Sequence, residues 1–387
     1  MKQENKDLIS CLRAAFLGEK VDCKVADCVS LAQQHGVLHL LYYAVAQSKP
    51  ENKPDEELCA ALKRKAYGAL IREATQQRML EELYSRFEAS QIRCTALKGI
   101  VLKNLYPKPE FRFMSDIDIL IDPRDAEAVR QHFEEMGCYV LTFDQSDTDL
   151  YLSPEGLNFE VKRTLRFESF NKTSELFLDK LLSFAVPIPG YSYVSALPNE
   201  EHYAYIICHM VKHMLDGGVG VRPVMDLWVC KNHMKLDENK KNELLRELKL
   251  TKFAEEAEHL ADVWFGNEEE RPFDAELGEY ILSSGSFGSA ENRVVDRIIH
   301  SKKGKGRIAY VLGRLFLPYR SMCYYFPVLQ KWPVLLPVFW FWRMIRAAFC
   351  RRGKLSEELS AVSEANGERL SQRLSFYQRC GIDFTEK

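Results

Sequence analysis

The stretch FRFMSDIDILIDP, residues 111–123, decides how the rest of the chain is read. It is rich in strand formers, and side chains along a strand alternate in direction. Asp116 and Asp118 therefore share one face, while Ile117, Ile119 and Ile121 share the other. Two carboxylates held this close repel, and each raises the other's pKa unless a cation neutralises them. The run reads as a strand that asks for a cation.

Its neighbours read as strands and short helices. Upstream, QIRCTAL at 91–97 sets Ile92, Cys94 and Ala96 against Arg93 and Thr95, a strand, after which Lys98-Gly99 opens a short helix, IVLKNLY. Downstream, Asp122 caps and Pro123 begins a helix, AEAVRQHFEEM, that stops at Gly137. DTDLYL and LNFEVKR, joined by SPEG at 153–156, predict an antiparallel hairpin whose second strand puts Asn158, Glu160 and Lys162 on one face. On the residues alone, paired strand carboxylates with a further acid nearby suit a magnesium–phosphate site, a calcium site or a plain surface.

Residues 1–90 read as helical, with His35 and His39 assigned to packing, and the chain turns helical again from about 198. The basic run SKKGKGR, 301–307, reads as solvated surface. Between 311 and 349 the chain is apolar and aromatic but cut by Pro318, Pro327, Pro333 and Pro337. Its longest uncharged piece, 332–342, has 11 residues, and a membrane span needs about 20. A buried hairpin or docking surface is the first expectation there; the alternative is an interfacial segment anchored by Trp332, Trp340, Trp342, Arg343 and Arg346, which would bring peripheral membrane contact through 332–349.

Composition bounds the class. The chain has 387 residues, 46% hydrophobic and 28% charged, which describes a folded protein of two or three domains. Its 53 basic residues nearly balance 55 acidic ones, so no global positive field favours a duplex nucleic-acid partner. Eleven cysteines without a CxxC pair, and an N-terminus without an apolar signal segment, point to a reducing, cytoplasmic location with thiols acting as core residues.

The segment ALKGIVLKNLYPKPEFRFMSDIDILI, residues 96–121, resembles the core signature of a family of uncharacterised nucleotidyltransferases in the polymerase-beta-like superfamily. In that family Lys-Gly stands where more familiar members have Gly-Ser. Arg112, Ser115, Asp116 and Asp118 fit its Arg, small residue and D-x-D, and Glu160 in LNFEVKR matches its third carboxylate. Farther on, HMVKH and VRPVMDL, within 209–227, resemble its helical His-Lys-His and Arg-to-Asp-Leu signature. The resemblance implies an α+β protein with a polymerase-beta-like nucleotidyltransferase core, a small mixed sheet with helices, flanked by N-terminal and C-terminal helical regions. The implied layout is a helical region at 1–90, the core at 91–197, a helical domain closing the cleft at 198–310, and the proline-broken region at 311–387.

The activity it implies is metal-dependent transfer of a nucleoside monophosphate from a nucleoside triphosphate to an acceptor, with Mg2+ or Mn2+ as cofactor and release of pyrophosphate. Asp116, Asp118 and Glu160 would be the catalytic metal ligands. Lys98, Gly99, Arg112, Ser115, Lys212 and His213 would surround the nucleotide, Gly99 giving the phosphates access to a helix N-terminus, and Arg222 would pair with Asp226. A small molecule, a glycan or lipid intermediate, a protein or an RNA end all suit the acceptor place. Two departures stand out: Lys98-Gly99 replaces the phosphate-cradling Gly-Ser, and Lys162 stands where members often have histidine. The alternatives are an inactive nucleotide-binding sensor or partner module, and an interaction or membrane-docking protein working through the aromatic segment.

Overall fold

The computed structural model describes residues 1–165, 171–286, 288–300, 306–350 and 360–382; residues 301–305 of the basic run lie outside them. Seven strands form one mixed sheet: β1 (Cys94–Ala96), β2 (Asp116–Ile121), β3 (Tyr139–Thr142), β4 (Thr148–Leu152), β5 (Asn158–Lys162), β6 (Val186–Pro187) and β7 (Val194–Ala196). Their order is β3-β4-β5-β2-β1-β7-β6. Helices precede and follow the sheet, so the protein is α+β. β2 lies at its centre, antiparallel to β1 and parallel to β5, while β4 and β5 make an antiparallel hairpin.

Alternation along β2 sorts the two faces of this sheet. Ile117, Ile119 and Ile121 are fully buried in one core with Leu80, Leu83 and Phe87 of the Glu56–Ala89 helix and Val129 and Phe133 of the Ala126–Glu135 helix. Phe159 and Val161 of β5 and Tyr151 of β4 belong to the same core. Phe133 stacks on Tyr151 at 4.2 Å and meets Phe159 edge-on at 5.1 Å. Each such aliphatic or aromatic side chain contributes about 2 kcal/mol by leaving water. Asp149 of β4 shares the parity of Tyr151 and is also fully buried, but Arg163 grips both its oxygens at 2.8 and 2.9 Å. That acid is neutralised and structural.

The chain divides into two compact units. The first comprises Met1–Lys212, Gly220–Ser286 and Gly381–Lys387. It holds the sheet and the helices Val221–His233, Glu238–Glu247 and Thr251–Phe265. His35 and His39 are packing residues in it: Val221 N–H donates to His35 Nδ1, which leaves Nε2 to donate to the Leu282 carbonyl, and His39 lies against the Phe111 carbonyl. Burial lowers the His39 pKa to about 4, so it stays neutral. The ten cysteines whose side chains are described are free thiols. Cys11 packs its sulfur 3.8 Å from Cys23 and 3.7 Å from Cys28.

The second unit comprises His213–Val219 and Phe287–Cys380. Val294, Val295 and Ile298 of the Ala290–His300 helix pack with Ala361 and Ala365, while Met322, Cys323 and Leu329 centre a separate cluster. Among the described residues no helix is long and apolar enough to cross a membrane.

Candidate active site

Burial of the isoleucine face of β2 turns Asp116 and Asp118 to the opposite face. β5 runs parallel beside it in a register that pairs Asp118 with Glu160 and Asp116 with Asn158. Carboxylate oxygens of Asp116, Asp118 and Glu160 consequently lie within 4.8 Å of one another. Three hard oxygen donors at this separation fit a divalent ion of the magnesium type.

Lysines surround the acids. Lys98 Nζ lies 3.0 Å from each oxygen of Asp118. Lys162 Nζ lies 3.0 Å from Asp118 Oδ1 and 2.6 Å from Glu160 Oε2. Burial pushes the Asp118 carboxyl up, but the two ammonium groups outweigh it and hold it at about 2. The mutual elevation expected of the aspartate pair is thus reversed at Asp118 by cations that the fold itself supplies. Burial pulls Lys162 down, yet Asp118, with help from Glu160, keeps it above the usual lysine value despite Lys98. Lys212, on the Asn199–Met214 helix, is lowered by burial and then by Lys98 and Lys162, with Glu160 and Asp118 opposing, so it too senses this cluster.

The turn after β1 carries Lys98 in an unusual backbone state, φ 47° and ψ −118°. A non-glycine residue at positive φ costs about 1–3 kcal/mol, which surrounding contacts must offset. Here Leu97 N–H donates to the Asp118 carbonyl at 3.3 Å, and the Lys98 ammonium grips the Asp118 side chain. The helix that follows, Gly99–Leu102, has only four residues. Space above Gly99 belongs to Met114: a Cβ there would stand 2.5 Å from its Sδ and 2.7 Å from its Cγ. The Met114 side chain therefore occupies the space above Gly99 and would have to move for any larger group to enter there.

Arg112 is occupied. Its Nε donates to Asp226 Oδ1 at 2.6 Å, and Tyr106 O–H donates to the same oxygen at 2.5 Å. Burial would lower the Arg112 pKa, but Asp226 and Tyr106 raise it further, so the guanidinium is firmly charged. The expected Arg222–Asp226 pair is replaced by Arg112–Asp226, and Arg222 donates to the Phe113 carbonyl at 2.9 Å. Ser115 Oγ donates to Asp116 Oδ1. His213 falls in the second unit, where its carbonyl accepts the N–H groups of Asp216 and Gly218.

Residues 1–90 carry no site residue in the sequence reading, yet the Glu56–Ala89 helix shapes this site. Arg72 Nε donates to the Met114 carbonyl at 3.0 Å and Nη2 to the Ser115 carbonyl at 2.7 Å, while Gln76 donates to Met114 at 3.0 Å. These bonds fix the backbone that delivers Asp116. Arg72 has no local sequence signal, because its partners lie 42 and 43 residues away. Tyr205, buried near Asp118, Lys162 and Glu160, was also missed. Its spacing from His209 and Lys212 places all three on one helix face, and the Tyr205 and His209 rings lie 6.1 Å apart.

The mixed sheet thus aligns three carboxylates, ringed by lysines, in a cluster that could hold a metal ion. The chain belongs to the uncharacterised nucleotidyltransferase family, whose family model matches residues 24–266, and a nucleotidyl-transfer role follows from that membership. The matched span contains all seven strands and every residue of the cluster. No curated protein and no solved structure matches the chain.

Proposed function

We propose that the protein moves a nucleoside monophosphate from a nucleoside triphosphate to an acceptor hydroxyl or phosphate and releases pyrophosphate. The convergence of Asp116, Asp118 and Glu160 carries this reading. Magnesium or manganese held there would polarise the reacting phosphate and lower the pKa of the acceptor hydroxyl. Asp116 and Asp118 would hold such a cation from one strand and Glu160 from the next, and Glu160 would take the acceptor's proton. The acceptor oxygen forms its bond to the α-phosphorus as the bond to pyrophosphate breaks, its electron pair leaving with the pyrophosphate.

Lys98, which pairs with Asp118 in this structure, would turn to the departing phosphates and offset the charge that builds on them. Lys162, bridging Asp118 and Glu160, guards the acceptor side, where a histidine of other members would present a weaker charge. Lys212 adds positive charge to the nucleotide's path. Arg112, tied to Asp226, sets the shape of the loop before β2, and Ser115 orients Asp116.

Purified protein with each ribonucleoside triphosphate labelled at the α-phosphate, magnesium or manganese, and a cell extract as acceptor source should transfer label and release pyrophosphate. Asp118→Asn should do neither. Equal transfer by that variant, or none from any nucleotide with any extract, sinks the reading.

A further inference from the structure

The site leaves one feature of the sequence unused. Residues 306–350 contain six Lys or Arg and no Asp or Glu, although the whole chain is nearly neutral. Prolines break this segment into the helices Gly306–Leu315, Tyr319–Tyr325, Val328–Lys331 and Leu336–Cys350. Their inner sides make a core of their own: Met322, Cys323 and Leu329 are buried against Phe326, Phe339 and Trp340. Phe326 and Phe339 lie 4.7 Å apart, and Trp340 Nε1 donates to the Leu317 carbonyl at 2.9 Å.

The outer side is apolar as well. Val338, Phe341 and Ile345 recur at intervals of three and four and form one stripe along the Leu336–Cys350 helix, and Val334 precedes them in the Pro333–Leu335 turn. Val334 is 79% exposed, Phe341 63%, and Trp332 and Trp342 beside them 61% and 57%. The Leu336–Cys350 helix is thus apolar both on the side that meets this core and on an outer side, where among the described residues Phe341 and Trp342 stay exposed; a second apolar side of this kind suits a larger core or lipid. Scattered exposed apolar residues are ordinary, whereas a contiguous aromatic patch marks a surface that docks on something.

We propose that this face seats on an anionic lipid bilayer surface. Charge selects the occupant. Arg314, Arg320, Lys331 and Arg346 are exposed around the patch with no carboxylate in the segment. A second copy would bring two like-charged faces together, but anionic headgroups complement them. Tryptophans and basic side chains are the residues that settle at the headgroup level. The segment lies in the interface instead of crossing it, because its longest helix has 15 residues and begins among prolines, against about 20 needed to span. This inference is independent of the nucleotidyl-transfer reading.

The test is flotation of the full-length protein with vesicles of phosphatidylcholine alone or mixed with phosphatidylglycerol. Wild type should float with the mixed vesicles, weakly or not at all with neutral ones, and less as salt rises. Phe341→Asp/Trp342→Asp, which alters only outward-facing side chains, should lose about ten- to a hundredfold in vesicle affinity while keeping its circular dichroism. No flotation with mixed vesicles, equal flotation with neutral ones, or an unaffected variant overturns the proposal. A dimer in solution that this variant converts to monomer overturns it in favour of a second copy.

Discussion

Asp118 has to serve two tasks. It is one of three candidate metal ligands and the anchor for two lysines. In Asp118→Asn the ammonium groups of Lys98 and Lys162 lose their shared partner, so the fold should lose about 2 kcal/mol while transfer disappears. Chemical denaturation monitored by fluorescence measures the first effect. A variant more stable than wild type would show that carboxylate repulsion, not lysine pairing, dominates the cluster. Lys98 separates charge from backbone. Lys98→Met and Lys98→Gly both remove the ammonium, and both should lower kcat roughly ten- to a thousandfold, since the contact tightens as charge builds on pyrophosphate. Glycine takes φ 47° without steric cost, so Lys98→Gly should be more stable than Lys98→Met by about 1 kcal/mol. Unchanged kcat and KM in the methionine variant would move the phosphate contact to Lys212.

At the scale of elements, the site depends on how rigidly β2 is presented. Its hydrogen bonds to β1 and β5 fix the strand, but Met114 and Ser115 at its entrance are held from outside the sheet by Arg72 and Gln76. Arg72 acts as a positioning residue. Arg72→Ala should lower kcat about tenfold or more, because small displacements of reacting groups are costly, with KM for nucleotide little changed. Arg72→Lys, which can reach one carbonyl but not both, should recover part of the loss. Loss of KM alone would mean that Arg72 binds the nucleotide directly. The elements themselves were legible where the signal is local: the β4–β5 hairpin, Asp122 as a cap and the alternation of β2 all stand where the sequence puts them. Arg112 was not, because a lone arginine does not reveal that its partner is Asp226, 114 residues away.

For the whole molecule, the second unit carries a pH dependence apart from the site. Burial pushes the Asp296 carboxyl up to about 6, despite Arg373 and hydrogen bonds from Tyr377 O–H and Gly217 N–H, and Asp216 adds to the elevation. An acid with a raised folded pKa holds its proton longer in the folded chain than in the unfolded one. Its contribution to stability is therefore complete below about pH 4 and is lost as pH rises through about 6, at most about 3 kcal/mol. Asp296→Asn keeps an oxygen for Tyr377 but cannot titrate. Thermal unfolding between pH 4 and 7 should show wild type losing stability relative to this variant, and parallel curves would remove Asp296 as the cause.

The sequence by itself determined the sheet-forming runs, the shared face of Asp116 and Asp118, and the family resemblance, because strand alternation and turn chemistry are set within a few residues. It also exposed the acid-free aromatic segment, which is a matter of composition. Only the tertiary structure decided that β5 pairs with β2 in the register that sets Glu160 beside Asp118, that lysines hold Asp118 ionised, that Met114 fills the space at Gly99, and that Val338, Phe341 and Trp342 are exposed. Those outcomes depend on which distant segments meet, and on the local field and free volume where they do; neither is encoded in the spacing of neighbouring residues.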